Sequence, residues 1–164
     1  MRYKVAPEPA TREALAEAHR ALPLVPGRVD DCCAHLRTEL GLATRDDASE
    51  WLAFLEALGL AVETDRGYRR EQAAIEADVD DLGAAFRARV FVAAEVCGAL
   101  ESADEPLDPD RAFERVHHSI PTWERNRRED WESAWRDRVG TLLEWAVAFG
   151  LAERVDGEFV AAGA

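Results

Sequence analysis

The chain has 164 residues, enough for one ordinary domain or two small ones, and 48% of them are apolar, as in a protein with a packed core rather than a disordered one. Its 33 acids against 20 bases leave a net charge of −13. No stretch approaches the roughly 18 uninterrupted apolar residues that span a bilayer, and Met1 to Glu8 lacks the apolar run of a secretion signal, so membrane function is excluded and a cytoplasmic location is expected.

A first helical pattern runs from Thr11, its N-cap, through Leu15, His19 and Leu22, and ends at Pro23, Pro26 and Gly27. Asp30 or Asp31 is suited to cap a second helix carrying Cys33, Leu36 and Leu40, closed by Gly41. A third starts near Thr44, lines up Ala48, Trp51, Leu52, Leu55 and Leu58, and stops at Gly59. Leu60, Val62 and Tyr68 then flank a Thr64-Asp65-Arg66-Gly67 turn in a short hairpin.

Beyond it, Ile75, Val79, Leu82, Phe86, Val90, Ala93, Cys97 and Leu100 form an apolar ladder in steps of three and four. The ladder reads either as one long connecting helix or as a break among Asp78, Asp80, Asp81 and Gly83, and the break is preferred. Another helix from Asp108 carries Phe113, Val116 and Ile120, and a long one runs from about Asp130 to Phe149. The chain ends in a hairpin whose turn, Asp156-Gly157, reads one residue shorter than the first. "LLEWAVAFGLAERVDGEFVAA" lies over "WLAFLEALGLAVETDRGYRR", with Gly150 opposite Gly59 and Phe159 opposite Tyr68, so the chain contains an internal repeat. The core is expected to hold Leu36, Trp51, Leu52, Leu55, Leu58 and Leu60 in the first unit, and Phe113, Val116, Leu143, Ala146, Phe149 and Leu151 in the second.

The segment from Glu39 to Arg70, "ELGLATRDDASEWLAFLEALGLAVETDRGYRR", resembles the second helix, turn, third helix and wing of winged helix-turn-helix domains. The resemblance and the repeat imply a mainly α fold with short β-hairpin wings, in two tandem winged-helix units. Residues 1–71 form the first and 72–164 the second, with 72–84 as linker or helix extension. Composition adds a second resemblance: a single lysine, Lys4, beside 19 arginines and many acids is similar to the proteins of extremely halophilic archaea. At molar salt the Debye length is about 3 Å, so a net negative charge neither attracts nor repels at a distance.

Winged-helix proteins can place the third helix in the major groove and the wing on the backbone or minor groove. The residues suited to nucleic acid are Arg45, Ser49, Arg66, Arg69 and Arg70 in the first unit and Arg125, Arg127 and Arg128 before the long helix of the second. Asp46, Asp47 and Glu50 oppose such an approach. Residues 1–70 carry a net charge of −2 and residues 71–164 one of −11, which favours the first unit. The function expected is that of a DNA-binding protein, a transcriptional regulator or DNA-associated architectural protein. The alternative is an adaptor that docks on a protein assembly through Trp123 and Trp131, since Trp and Arg are enriched at interface hot spots. The partners are thus double-stranded DNA or a protein assembly, with no membrane; the oligomeric state stays open, a homodimer included.

Catalysis and metal binding find little support. Cys32 and His35 share a helix face, yet no second ligand pair stands at zinc spacing, and Cys97, His117 and His118 are scattered. No paired carboxylates, phosphate-cradling Gly loop or nucleophile with a positioning acid can be identified. No enzyme activity, cofactor or metal is expected, and the three cysteines are read as free, mostly buried thiols.

Overall fold

The computed structural model of the chain describes residues 6–71 and 79–163. In the first unit, α1 (Arg12–Ala21) starts where the Thr11 hydroxyl accepts from the Ala14 N–H at 3.1 Å, and α3 (Arg45–Ala57) where Thr44 does the same for Asp47. Between them α2 (Val29–Leu40) begins two to three residues earlier than a cap at Asp30 or Asp31 implies. Arg28 takes the N-cap position without a side-chain cap, and Asp30 and Asp31 fall in the first turn, where negative charge suits the helix dipole. β1 (Ala61–Thr64) and β2 (Gly67–Arg70) pair antiparallel. Tyr68 also exchanges two 2.8 Å backbone hydrogen bonds with Gly27, so the segment before α2 extends the hairpin.

The second unit repeats this plan with additions. The ladder is not one helix: α4 (Val79–Arg89) runs through Asp80, Asp81 and Gly83 without a break, and the chain turns at Val90–Val92 before α5 (Ala93–Ser102), while a break at Asp78 falls outside the described residues. Ile75 lies outside them as well. Gly83 is there for close packing, since a Cβ on it would stand 3.3 Å from the Leu151 side chain. Val92 makes the turn at φ 70°, unfavourable for a β-branched residue, and burial of Val90 and Val92 on either side of the bend compensates.

Next, α6 (Pro109–Val116) is capped by Asp108, whose carboxylate accepts from the Arg111 N–H at 2.7 Å. A 3₁₀ turn (His117–Ser119) and α7 (Thr122–Arg125) lead to α8 (Trp131–Ala148), followed by β3 (Ala152–Val155) and β4 (Glu158–Ala161). The two hairpins are equally long, contrary to the shorter turn read from the sequence, because Thr64 pairs with Gly67 as Val155 does with Glu158. What differs is where the left-handed backbone falls: on Gly67 in the first, on Asp156 and Gly157 in the second. The repeat extends to the joints. Gly59 and Gly150 both end the third helix at positive φ, and Leu60 and Leu151 each donate 2.8 Å bonds back to Leu55 and Ala146. Leu107 exchanges bonds with Phe159 as Gly27 does with Tyr68.

All the expected core residues are buried except Leu151, which is half-buried against the core. Its place over Gly83 at the edge of α4 leaves one side open. The two units share one hydrophobic core. Phe54 of α3 and Trp145 of α8, which hold equivalent places in the repeat, meet at 4.7 Å between ring centroids, and Trp51 stands edge-on to Trp145 at 5.9 Å. An N-terminal strap, Ala6–Ala10, crosses this junction: the Trp145 indole N–H donates to the Pro7 carbonyl at 2.8 Å and that of Trp51 to the Glu8 carbonyl at 3.2 Å. Thr141 of α8 donates to the Glu8 carboxylate at 2.8 Å. Among the described residues no helix is long and apolar enough to cross a membrane.

Candidate nucleic-acid interface

The N-terminal half of α3 carries its exposed side chains at Arg45, Asp46, Ser49 and Glu50, while Ala48, Trp51 and Leu52 turn inward. Arg45 pairs with Asp30 of α2, and both side chains remain mostly solvent-exposed. Such a pair contributes little to stability and leaves the guanidinium accessible. Burial pushes the Cys33 thiol up, and nearby Arg45 opposes that rise. At the tip of the first hairpin Arg66 is exposed; its backbone N–H is held by the Thr64 hydroxyl at 3.2 Å, and its side chain is without a hydrogen bond or ion pair among the described residues.

The other two arginines of that hairpin are engaged. Arg69 donates to the Arg70 carbonyl at 3.3 Å and lies 3.5 Å from the Glu71 carboxylate. Arg70 reaches back to α1, donating to the Leu22 carbonyl at 3.0 and 2.9 Å and to that of Arg20 at 2.6 Å. It satisfies carbonyls that the end of α1 leaves without an intrahelical partner.

Arg125 plays the same part in the second unit, donating to Ile120 and His117 carbonyls at 3.1 and 2.7 Å and standing over the Trp131 ring at 5.1 Å. Arg127 lies 3.4 Å from the buried Glu124 carboxylate, and Arg128 makes a two-pronged bond to Asp130 at 2.9 and 3.0 Å. On α8, Arg136 pairs with Asp110 and Glu114, and Arg138 lies 3.8 Å from Glu124. The candidate arginines therefore divide into three kinds: Arg70 and Arg125 brace backbone, Arg45, Arg69, Arg127 and Arg128 are paired with acids, with Arg45, Arg127 and Arg128 still mostly exposed, and Arg66 has no side-chain partner among the described residues.

Among the accessible arginines that the sequence does not single out, Arg28 stands nearest the first hairpin. Arg28 is exposed, without a side-chain partner among the described residues, and belongs to the segment that bonds to Tyr68. Its spacing from Gly27 offers no signal by itself, since only the cross-strand pairing with the hairpin brings it beside Arg66.

Where α3 and α8 meet, their outer sides form an open cleft of about 410 Å³ lined by Glu8, Asp47, Glu50, Asp137 and Arg138. Desolvation raises the pKa of Glu50, Asp47 adds to the rise, and Arg138 opposes it. A wider cleft of about 660 Å³ lies on the other side of the strap, between α8 and the second hairpin. Of the five tryptophans, Trp51, Trp135 and Trp145 are buried in the core, Trp131 is half-buried, and Trp123 is 50% exposed.

Cys32, Cys33 and Cys97 are free and buried. His117 donates from Nδ1 to the Glu114 carbonyl at 2.7 Å, and its ring is nearly perpendicular to that of His118. Among the described residues no group of three or more His, Cys, Asp or Glu side chains is placed to hold a metal ion.

The family model described as the halobacterial double winged helix domain matches residues 1–164. No curated protein and no solved structure matches the chain.

Proposed function

Because the chain belongs to the halobacterial double winged helix domain family, whose fold is in general a DNA-binding one, we propose that it is a non-enzymatic, DNA-binding regulator of transcription that contacts duplex DNA with its first unit. The observation that carries this reading is the coincidence, on that unit alone, of an exposed α3 start bearing Arg45 and Ser49 with an unpartnered Arg66 at the wing tip. The near-neutral charge of residues 1–70 supports it. Arg69 can join by exchanging Glu71 for a phosphate, whereas Arg70 and Arg125 would have to abandon backbone carbonyls. Arg127 and Arg128 are secondary contacts on the same reasoning.

Selection from a random duplex library in molar potassium chloride tests the proposal. An enriched sequence, bound more weakly by the Arg66→Ala, Arg69→Ala double variant, supports a regulator. Binding without sequence preference points instead to the architectural role. A second reading, a protein-docking adaptor, is favoured by the half-exposed Trp123 beside half-buried Trp131. Recovery of one stoichiometric protein from cell extract, lost on Trp123→Ala, together with no enriched duplex, would replace the first reading by the second.

A further inference from the structure

Two winged-helix units in one chain suggest two readers, each placing a third helix in its own major groove. Readers docked in successive grooves on one face of a duplex lie about 34–36 Å apart. In this chain the two third helices instead meet through large aromatic side chains. Phe54 and Trp145 meet at 4.7 Å and Trp51 and Trp145 at 5.9 Å between ring centroids, so the helices there are no farther apart than two side chains reach, far short of that spacing. Nearer their N-termini, Asp47 and Glu50 of α3 face Asp137 and Arg138 of α8 across one cleft. The strap fastens both helices through the indoles of Trp51 and Trp145. What they present outward together is largely carboxylate, from Glu8, Asp47, Glu50 and Asp137.

Of the exposed guanidiniums without a side-chain partner among the described residues, which include Arg12, Arg20 and Arg115, two lie together elsewhere on the first unit. Arg28 and Arg66 flank the contact between Gly27 and Gly67, where backbones approach so closely that a Cβ on Gly67 would stand 1.9 Å from the Gly27 carbonyl oxygen and 3.2 Å from the Arg28 nitrogen. Beside them Leu24, Val25 and Val29 are exposed at 56%, 72% and 40%, most of the large apolar side chains that the described residues leave in solvent. Two cations next to an apolar strip suit a duplex contact at high salt, where phosphate neutralisation alone contributes little and apolar contact with groove walls persists.

We infer that one chain makes a single duplex contact, gripped at the edge of the first wing by Arg28 and Arg66, and that α3 and α8 do not occupy successive grooves. This rests on the DNA-binding reading above and assigns Arg28 as a contact residue.

The test uses the full chain and the duplex enriched from the random library. Hydroxyl-radical footprinting with titrated stoichiometry is expected to show one protected stretch per chain. Arg28→Ala and Arg66→Ala should each flatten the dependence of log affinity on log salt by about 0.9 per lost phosphate contact, with melting temperatures unchanged. Arg115→Ala, an exposed arginine of the second unit, should leave the slope as it is. Two protected stretches one helical turn apart under a single chain, or an unaltered slope in folded Arg28→Ala, would overturn this inference while the DNA-binding reading stands. Failure of the full chain to bind duplex of any sequence would overturn both.

Discussion

At the scale of single residues, the arginines show how far side-chain type falls short of role. Arg66, Arg69 and Arg70 are neighbours in sequence, yet one is unpartnered, one meets a glutamate and one braces the end of α1. Their difference comes from the hairpin's register, which turns Arg70 toward Leu22 across 48 residues of chain. His19 makes a related long-range bond, its Nε2–H donating to the Glu71 carbonyl at 2.8 Å, so the first and last elements of the unit are tied twice. Burial lowers the His19 pKa below its ordinary 6.5; the bond to Glu71 opposes this, and Arg70 and Arg20 reinforce it. The folded protein thus binds this proton less readily than the unfolded chain does. The stability that neutral His19 contributes is present above pH 6.5 and is lost as pH falls from there through the lower folded value. Denaturant melts across that window should show stability declining on acidification, and the His19→Gln variant should decline less. Equal pH dependence in both proteins would show that His19 does not control it.

At the scale of elements, the helices follow from local signals and the hairpins from two glycines used differently. Gly59 ends α3 at φ 79° with open space around its Cβ position, so Gly59→Ala meets only the backbone penalty of roughly 1–2 kcal/mol. Gly67 has both the left-handed backbone and the Gly27 carbonyl in the way. Gly67→Ala must therefore also break the paired bonds between Gly27 and Tyr68, adding about 1 kcal/mol for each bond lost. Equilibrium unfolding should rank Gly67→Ala as the more damaging of the two. The reverse order would mean that the segment before α2 is not held against the wing as described. The break at Val90–Val92 belongs to this scale as well. The ladder of steps of three and four is unbroken in sequence through that region, and nothing local marks Val92 as a turning point. The bend occurs because α4 must pack by Gly83 and Phe86 against Leu151 and Phe149, while Arg89 donates to the Ala57 carbonyl of α3 at 3.2 Å.

At the scale of the molecule, the shared core decides how the chain responds to damage. Trp145 touches Trp51 and Phe54 in the first unit, stacks on Phe149 at 5.4 Å in the second and bonds to the strap. Trp145→Ala should cost roughly 3–5 kcal/mol and lower the melting of the whole chain in one transition, measured by calorimetry and far-ultraviolet circular dichroism together. Two separated transitions, with only the second unit shifted, would show that the units fold independently. The sequence by itself determined most of the elements, the cap at Thr11, the helix starts at Thr44 and Asp108, the repeat and nearly all of the core, because caps and apolar periodicity act within a few residues of one another. It also carried the family resemblance, which those same local segments bear. Only the tertiary structure decided that α3 and α8 lie together under the strap, that Arg70 and Arg125 serve backbone, and that Arg28 stands beside Arg66. Those outcomes depend on pairings between residues far apart in the chain. A face left apolar or a guanidinium left charged states that a partner is needed, but packing geometry alone selects which one.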